Sequence, residues 1–146
     1  MPVKLSDKFA TSYVCGTENS LGLNVPFVPY DKNGSCARYT ARPEHAGWKN
    51  ILHGGVTFAL MDEALGWSLY YQGLRGVTAK AEVRFRAPIL VGTPVRITAF
   101  TCGRARQIVR ARAEVRREDE TAELLAEVKA TMYLIEDDER NGEGQC

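Results

Sequence analysis

The stretch of the chain richest in possible chemistry is a pair of glycines followed, seven to eight residues later, by an aspartate. Gly54 and Gly55 stand at the start of a predicted helix, where residues without side chains leave the backbone open to a ligand. The first-turn amides of a helix have no acceptor within the helix, so the Gly55 N–H can stabilise a developing oxyanion. The alternative is that the two glycines only let the helix start pack tightly against a strand.

Asp62 lies in the middle of the same predicted helix, among Phe58, Met61 and Leu65. A carboxylate in apolar surroundings loses hydration unless it is paired or faces a cleft, and this loss makes it a stronger base. The structural alternative is a carboxylate that accepts hydrogen bonds from a neighbouring strand. Glu63 lies about 100° around the helix from Asp62, so we expect it to be a solvent or subunit-edge charge.

Gly55 and Asp62 share one face of the predicted helix but lie about 10 Å apart along its axis. A reacting carbonyl has to come within roughly 3 Å of both the oxyanion donor and the attacking group. One helix cannot supply both, so a site that uses both residues needs Gly55 of one chain and Asp62 of another. The spacing therefore predicts two protomers related by a two-fold axis, with two equivalent sites. With the family resemblance described below, we expect a homodimer or a dimer of dimers (a homotetramer).

Periodicity predicts the elements that position these residues. Residues 54–71 are apolar on every side and contain no proline, which predicts one long buried helix. Two short strands are predicted at 21–27 and 35–40, joined by a turn at 29–34. Four strands are predicted after the helix, at 77–87, 95–102, 107–117 and 122–135, with a turn at 103–106.

Consecutive strands without intervening helices pair antiparallel. The order therefore predicts an α+β fold, in which an antiparallel sheet of about six strands wraps around one long buried helix. We expect a single domain over 21–136, preceded by a coil or short helix at 1–20 and followed by an acidic flexible tail at 137–146.

Composition and charge define the broad class of protein. The 146 residues are 45% hydrophobic and 25% charged, which is typical of one globular domain and not of a disordered or collagen-like chain. The net charge is +1, but residues 75–118 carry eleven basic and three acidic side chains, and residues 119–146 carry two and nine. The basic segment predicts a localised anion site, with solvated strand edges as the alternative.

Several partners are not expected. The cysteines form no Cys-x-x-Cys pair, and His45 and His53 are too few for a metal cluster, so we expect no disulfide framework, no metal and a reducing, cytoplasmic setting. No apolar run approaches the ~18 residues of a membrane span. The basic strands have few interleaved aromatic residues, which argues against nucleic acid as a partner.

The residues described so far also carry a family resemblance. The motif is His53-Gly54-Gly55, then Asp62, then Val77-Thr78 and Phe85-Arg86-Ala87-Pro88, with Cys15-Gly16-x-x-Asn19-x-x-Gly22-Leu23 before it. This pattern resembles the hotdog-fold thioesterases of the PaaI-like and 4-hydroxybenzoyl-CoA thioesterase superfamily, over about residues 13–135. The resemblance implies a hotdog fold and hydrolysis of an acyl-CoA thioester without a separate cofactor.

The resemblance also implies catalytic roles. Gly55 matches the glycine whose amide polarises the thioester carbonyl, and Asp62 matches the general base or nucleophile supplied by the opposing chain. His53 matches a histidine that supports the loop and the ligand carbonyl. Thr78 matches a hydroxyl that positions water, although the alternation of apolar and polar residues over 77–87 places it on the polar face with Arg84.

The chain departs from the family pattern at two places. Asn50 stands three residues before His53, whereas some relatives carry a functional Asn six residues before it, where this chain has Gly47. Asn50 is kept as a weaker candidate. Ser12 stands where one branch of the family has a second cysteine, so no pair forms with Cys15.

The predicted substrate is a small aromatic or a short- to medium-chain acyl-CoA. Arginine forks match the geometry of the CoA phosphates, and the turn at 103–106 is the first choice for that contact. The predicted substrate-binding residues are Asn50, Gly54, Phe58, Met61, Arg84, Arg86, Arg104 and Arg106. The alternatives are a non-catalytic acyl-CoA or acyl-lipid binding module, a thioesterase for acyl carrier protein, and a hydratase, whose usual His and acid pattern is not found.

Overall fold

The computed structural model describes residues 9–135. The first part of the predicted N-terminal coil and the whole predicted acidic tail therefore lie outside the described residues. The elements are β1 (Val28–Tyr30), β2 (Gly34–Thr40), α1 (Gly54–Tyr70), β3 (Gly76–Phe85), β4 (Pro94–Ala105), β5 (Ile108–Arg117) and β6 (Leu124–Leu134). A short 3-10 helix, Pro43–His45, lies between β2 and α1.

The strands form one antiparallel sheet of six in the order β1-β2-β4-β5-β6-β3. α1 packs across the inner face of this sheet, against β2 to β6. The predicted α+β class and hotdog fold are confirmed. The two edges of the sheet differ, because β1 has 3 residues and β3 has 10.

α1 is buried because apolar side chains cover almost its whole circumference. Leu60, Leu65 and Leu69 are completely shielded from solvent, and each contributes about 1.5–3 kcal/mol through burial. The Ser35 hydroxyl of β2 donates a buried 2.7 Å hydrogen bond to the Ala64 carbonyl, which ties the helix to the sheet. The prediction of a helix over 54–71 is confirmed to within one residue. No helix within the described residues is long and apolar enough to cross a membrane.

The first predicted strand, at 21–27, is wrong. Leu23, Val25 and Phe27 are buried and the residues between them are exposed, which produces the period of two. The amides of Leu23 and Val25, however, bond to the carbonyls of Tyr13 and Val14 and not to a neighbouring strand. Asn24 has a φ of 55°, which interrupts the extended backbone. The ladder begins only with β1, whose last two residues lie in the segment predicted as the turn.

The predicted turn at 103–106 is also wrong in its position. β4 continues to Ala105, and a register shift between Thr101 and Gly103 forms a bulge within the strand. Gly103 therefore marks a bulge and not a turn. The chain reverses at Arg106, which has a φ of 56°. The remaining predicted strands are confirmed to within two residues at each end.

β3 contains a second bulge, and this one decides where Thr78 points. The register with β6 passes from Thr78 to Lys80, so that Ala79 is skipped. One extra residue inverts the alternation of side chains. Thr78 therefore faces α1, and Val77 turns outward, where it is 50% exposed. The prediction that Thr78 shares the polar face with Arg84 is wrong for this reason.

Candidate active site

Asp62 is half-buried in the middle of α1 and is held by a hydroxyl from β3. The Thr78 hydroxyl donates a 2.5 Å hydrogen bond to Asp62 Oδ1. Thr78 Oγ1 is also 3.3 Å from the sulfur of Met132, but its single proton goes to the carboxyl oxygen, because a thioether sulfur is only a weak acceptor. The bond fixes the orientation of the Asp62 carboxylate.

A cleft of about 380 Å³ opens beside Asp62 and Thr78. Its apolar wall includes an aromatic cluster, in which the ring of Phe9 lies 4.6 Å from that of Trp67 and 5.2 Å from that of Tyr70. The apolar lining residues are Phe9, Trp67, Tyr70, Leu74, Val77, Met132 and Ile135. Such a cleft suits a small apolar group placed next to a carboxylate.

Two residues predicted to bind the acyl group lie elsewhere. Met61 is fully buried within the core, and Phe58 is half-buried and packs against that core. Neither residue lines the cleft beside Asp62. The two residues are three apart in the helix, a spacing that suits packing in the core as well as lining of a pocket. The sequence alone does not distinguish these two roles.

The amino terminus of α1 presents the two glycines to solvent. His53 caps the helix: its Nδ1 accepts a 2.8 Å hydrogen bond from the Gly55 amide. An accepting Nδ1 carries no proton, so the neutral imidazole has its proton on Nε2. The Gly54 amide has no acceptor among residues 9–135.

Gly54 lines a second cleft, of about 360 Å³. A Cβ at Gly54 would lie 3.5 Å from the ring of Phe85, an ordinary contact distance. The two clefts share no lining residue, and Gly54 lies about 12 Å from Asp62 along the helix axis. Within one protomer, the carboxylate and the free helix amide therefore open into different clefts.

The loop before α1 is held by a buried histidine. The backbone N–H of His53 donates a 3.0 Å hydrogen bond to the His45 carbonyl, and His45 Nδ1 lies 2.7 Å from the Tyr39 hydroxyl. Burial lowers the pKa of His45, and the nearby Arg42 guanidinium lowers it further. The loop is therefore anchored by a neutral imidazole.

The loop residues Gly47 and Asn50 have backbone roles. A Cβ at Gly47 would come within 2.9 Å of His53 Cδ2 and 3.1 Å of His53 Cα, so only glycine fits without displacing His53. Asn50 is exposed, has a φ of 60°, and its carbonyl accepts a 3.0 Å hydrogen bond from the Val91 amide. Asn50 lines neither cleft.

The four arginines predicted to bind CoA phosphates lie at two separate places. Arg86 lines the second cleft and forms a 3.1 Å ion pair with Glu127, and Arg84 is exposed near it on β3. Arg104 and Arg106 are exposed at the turn between β4 and β5, where Arg104 Nε donates to the Arg106 carbonyl at 3.2 Å. The structure does not gather the four around one cleft.

The prediction of Glu63 as a solvent charge is wrong, while its position at a subunit edge stays a prediction. Glu63 is half-buried and accepts hydrogen bonds from Ser12 Oγ at 3.2 Å and from Cys15 Sγ at 3.1 Å. Burial raises the pKa of the Cys15 thiol to about 11, so the thiol stays protonated and acts as a donor. Glu63 thereby fastens the N-terminal segment to α1. Within residues 9–135, no group of three or more His, Cys, Asp or Glu is placed to hold a metal ion.

Comparison with known proteins identifies the family. Residues 49–123, about half of the chain, match the Thioesterase superfamily, and the protein belongs to it. An uncharacterised protein of Schizosaccharomyces pombe is 29% identical over 77 residues, which are 51% of this chain and 44% of that protein. The chain thus spans less than half the length of this relative.

Solved structures share the fold at low sequence identity. The PaaI protein from the phenylacetic acid degradation operon of E. coli has a TM-score of 0.72 and 20% identity, over 78% of this chain and 81% of that one. A Streptococcus mutans UA159 protein solved with bound acetyl CoA gives 0.71 and 18%, over 77% and 89%. Zebrafish thioesterase superfamily member 2 gives 0.73 and 18%, over 88% and 94%. The hotdog fold is common to all of them.

Proposed function

We propose that the protein is an acyl-CoA thioesterase, and that its site forms between two protomers of a homodimer. Membership of the Thioesterase superfamily supports the reaction class, and the acetyl CoA bound to the S. mutans protein supports the choice of CoA. The observation that carries the proposal is the Asp62 carboxylate, oriented by the Thr78 hydroxyl at the wall of an apolar cleft.

In the proposed reaction, Asp62 removes a proton from a water molecule while the water oxygen attacks the thioester carbon. The carbonyl π electrons move to oxygen, which becomes the oxyanion of a tetrahedral intermediate. The intermediate collapses, the carbon–sulfur bond breaks, and the leaving thiolate takes up the proton that Asp62 removed from water, which regenerates the carboxylate. The products are the free acid and CoA. Direct attack by Asp62, with hydrolysis of the resulting anhydride, is the alternative route.

The helix amino terminus is the proposed oxyanion site. The Gly54 amide has no acceptor within the described residues, whereas the Gly55 amide is bonded to His53. We therefore expect Gly54 N–H to bind the oxyanion directly, and Gly55 N–H to join it when His53 turns away. The positive end of the helix dipole favours an anion at this position.

The long edge of β3 is the proposed dimer contact. Its 10 residues present backbone N–H and C=O groups along the edge of the sheet. Pairing two such edges about a two-fold axis continues the sheet and sets the two α1 helices antiparallel. Val77 and Phe85, 50% and 58% exposed, would be covered by the partner. The Asp62 cleft of one protomer would then meet the Gly54 cleft of the other.

The acyl group is proposed to occupy the cleft walled by Phe9, Trp67 and Tyr70. Its size and aromatic lining suit a small aromatic or a short- to medium-chain acyl group. A panel of aryl and straight-chain thioesters of CoA, assayed by release of free thiol, identifies the acyl group. The same acyl groups carried as thioesters of acyl carrier protein test whether that protein, and not CoA, carries the substrate.

The variant Asp62→Asn tests the proposal. We expect kcat to fall by about 10²–10⁴, with the dimer and the binding of CoA retained. Glu120→Gln, the same chemical change at an exposed position, serves as the control and should keep full activity. Unchanged turnover in Asp62→Asn would remove Asp62 from the mechanism. Tight binding of CoA esters without any turnover by the wild type would favour a binding module.

A further inference from the structure

The outer face of the sheet, opposite α1, carries a basic groove that the proposed mechanism does not use. This groove has a volume of about 390 Å³. Its cations come from three adjacent strands and are Lys80, Arg110, Arg112 and Lys129. Its remaining polar side chains belong to Glu82, Cys102 and Thr131. Four cationic groups thus face one carboxylate.

The register of the strands brings these cations close together. Lys129 of β6 lies directly opposite Arg112 of β5, and Thr131 lies between Arg110 and Lys80 in the next row. Directly opposed side chains have their Cβ atoms about 5 Å apart, and like charges in that position destabilise a sheet. A bound anion between Arg112 and Lys129 removes this repulsion.

The cations of the groove are only weakly neutralised by the described residues: Glu127 lies within electrostatic range of Lys129 but forms its ion pair with Arg86. No carboxylate of residues 9–135 forms an ion pair with any of them, and Glu82 forms none although it lies directly opposite Lys129. Elsewhere, Arg38 of β2, Arg116 of β5 and Arg86, directly after β3, pair with carboxylates at 3.3, 2.9 and 3.1 Å. The unpaired guanidinium forks of the groove are suited to phosphate oxygens.

Exposed aromatic rings flank the groove on the same face. Phe100 lies directly opposite Arg112 and is 37% exposed. Tyr133 follows Thr131 by two residues on β6 and is 47% exposed. Adjacent side chains on one face of a strand are two residues apart, so each ring lies within reach of the cations. A base can stack on such a ring while its phosphates contact arginine.

We propose that this outer-face groove binds a nucleoside diphosphate moiety. Arg110, Arg112 and Lys129 would hold the two phosphoryl groups, and Tyr133 or Phe100 would support the base. The moiety has two possible sources, the adenosine diphosphate part of CoA and a free nucleotide. A second copy of this chain is a poor occupant, because it would place two clusters of like charge face to face.

Calorimetric titration of the full chain with ADP tests the groove directly. We expect saturable binding that is tighter than that of adenosine and weakens with added salt, because phosphate contacts are screened. The double variant Arg110→Gln/Arg112→Gln should weaken ADP binding by at least about tenfold. Arg38→Gln removes an exposed charge from the same face of β2 and should leave binding unchanged. No saturable binding, or equal binding by the double variant, would overturn the proposal.

A kinetic arm distinguishes the two sources. If the moiety belongs to CoA, the double variant raises KM for a CoA ester but not for the matching pantetheine ester, and CoA competes with ADP. If the moiety is a free nucleotide, KM for both esters is unchanged while ADP binding is lost. Both results support the groove. The titration needs no turnover, so a protein that binds ADP through the arginines yet hydrolyses no thioester overturns the proposed function alone.

Discussion

At the scale of single residues, the Thr78 hydroxyl is the group whose contribution to the proposed chemistry can be isolated most cleanly. Thr78→Val keeps the shape of the side chain and removes the donor to Asp62. A hydrogen bond to a charged group contributes about 1.5–3 kcal/mol, so we expect kcat to fall by roughly 10- to 100-fold with little change in KM. Thr78→Ser restores the donor and should recover most of the rate. Steady-state kinetics showing Thr78→Val equal to wild type would exclude the role.

His45 predicts how stability depends on pH. Burial lowers its pKa from the ordinary 6.5, with Arg42 adding to the effect, so the unfolded chain takes up a proton first as the pH falls. The contribution of neutral His45 is therefore complete above about pH 6.5 and is lost as the pH falls from there toward the folded pKa. We expect the melting temperature of His45→Gln to fall less between pH 7.5 and 5.5 than that of wild type. Parallel decreases in thermal melts of the two proteins would contradict this assignment.

At the scale of elements, a helix or strand could be predicted from the sequence where its own residues determine it, and not where it depends on a distant partner. α1 is recovered from the sequence because its boundaries are set by a glycine pair and by a continuous apolar surface. The segment 21–27 alternates as a strand does, but the amides of Leu23 and Val25 bond to residues 13 and 14. No pattern within the segment reveals these partners. Glycine is common both in turns and in β-bulges, and Gly103 lies next to a bulge inside β4. Its residue type alone could not distinguish the two structures.

The candidate site follows the same division. Gly54, Gly55 and Asp62 are found from residue type and spacing, because helix geometry alone relates them. The approach of Thr78 to Asp62 depends on the bulge at Ala79, whose apolar side chain continues the alternation as if no bulge existed. The role of Glu63 in holding the N-terminal segment depends on a contact with Ser12, 51 residues away in the chain. Such contacts arise only from the folded arrangement.

The bulge in β3 yields a prediction at this scale. Ala79 is the residue that the register with β6 skips, so its deletion makes the ladder regular and leaves Thr78 opposite Met132, facing α1. We expect the deletion variant to keep most of kcat and the far-ultraviolet circular dichroism of a folded sheet. Ala79→Gly keeps the bulge and serves as the control. A loss of kcat as large as that of Thr78→Val would show that Ala79 is not the extra residue of the strand.

At the scale of the whole molecule, part of the excess of basic residues along the sequence is gathered on one surface of the sheet. The excess of basic residues over 75–118 predicts a localised anion site, and in the fold β3 and β5 contribute Lys80, Arg110 and Arg112 to one outer-face groove. Which arginines cluster could not be predicted, because β3 and β5 are brought together only by β6 between them. Arg86, from the same segment, instead pairs with Glu127.

In the proposed two-fold dimer, Asp62 and Gly54 of each site come from different protomers. Mixing two inactive variants should therefore restore activity, which a site within one protomer could not do. Asp62→Asn removes the carboxylate, and Gly54→Val blocks the helix amide, so each homodimer should be nearly inactive. In a mixed dimer, Asp62 from the Gly54→Val chain faces the intact helix terminus of the Asp62→Asn chain, which restores one of the two sites. Random exchange of equal amounts gives half mixed dimers, so we expect about one quarter of wild-type activity after co-refolding.

The control for this mixing experiment is each variant refolded alone at the same total concentration, measured by free thiol release from a CoA ester. A protein whose carboxylate and amide acted within one protomer would gain nothing from mixing, because every site would still carry one defect. Recovery therefore requires that the two groups come from different chains. Since Gly54 and Asp62 open into separate clefts of the protomer, we expect the recovered activity to appear only once subunits have exchanged, and to rise with the fraction of mixed dimers resolved by native mass spectrometry.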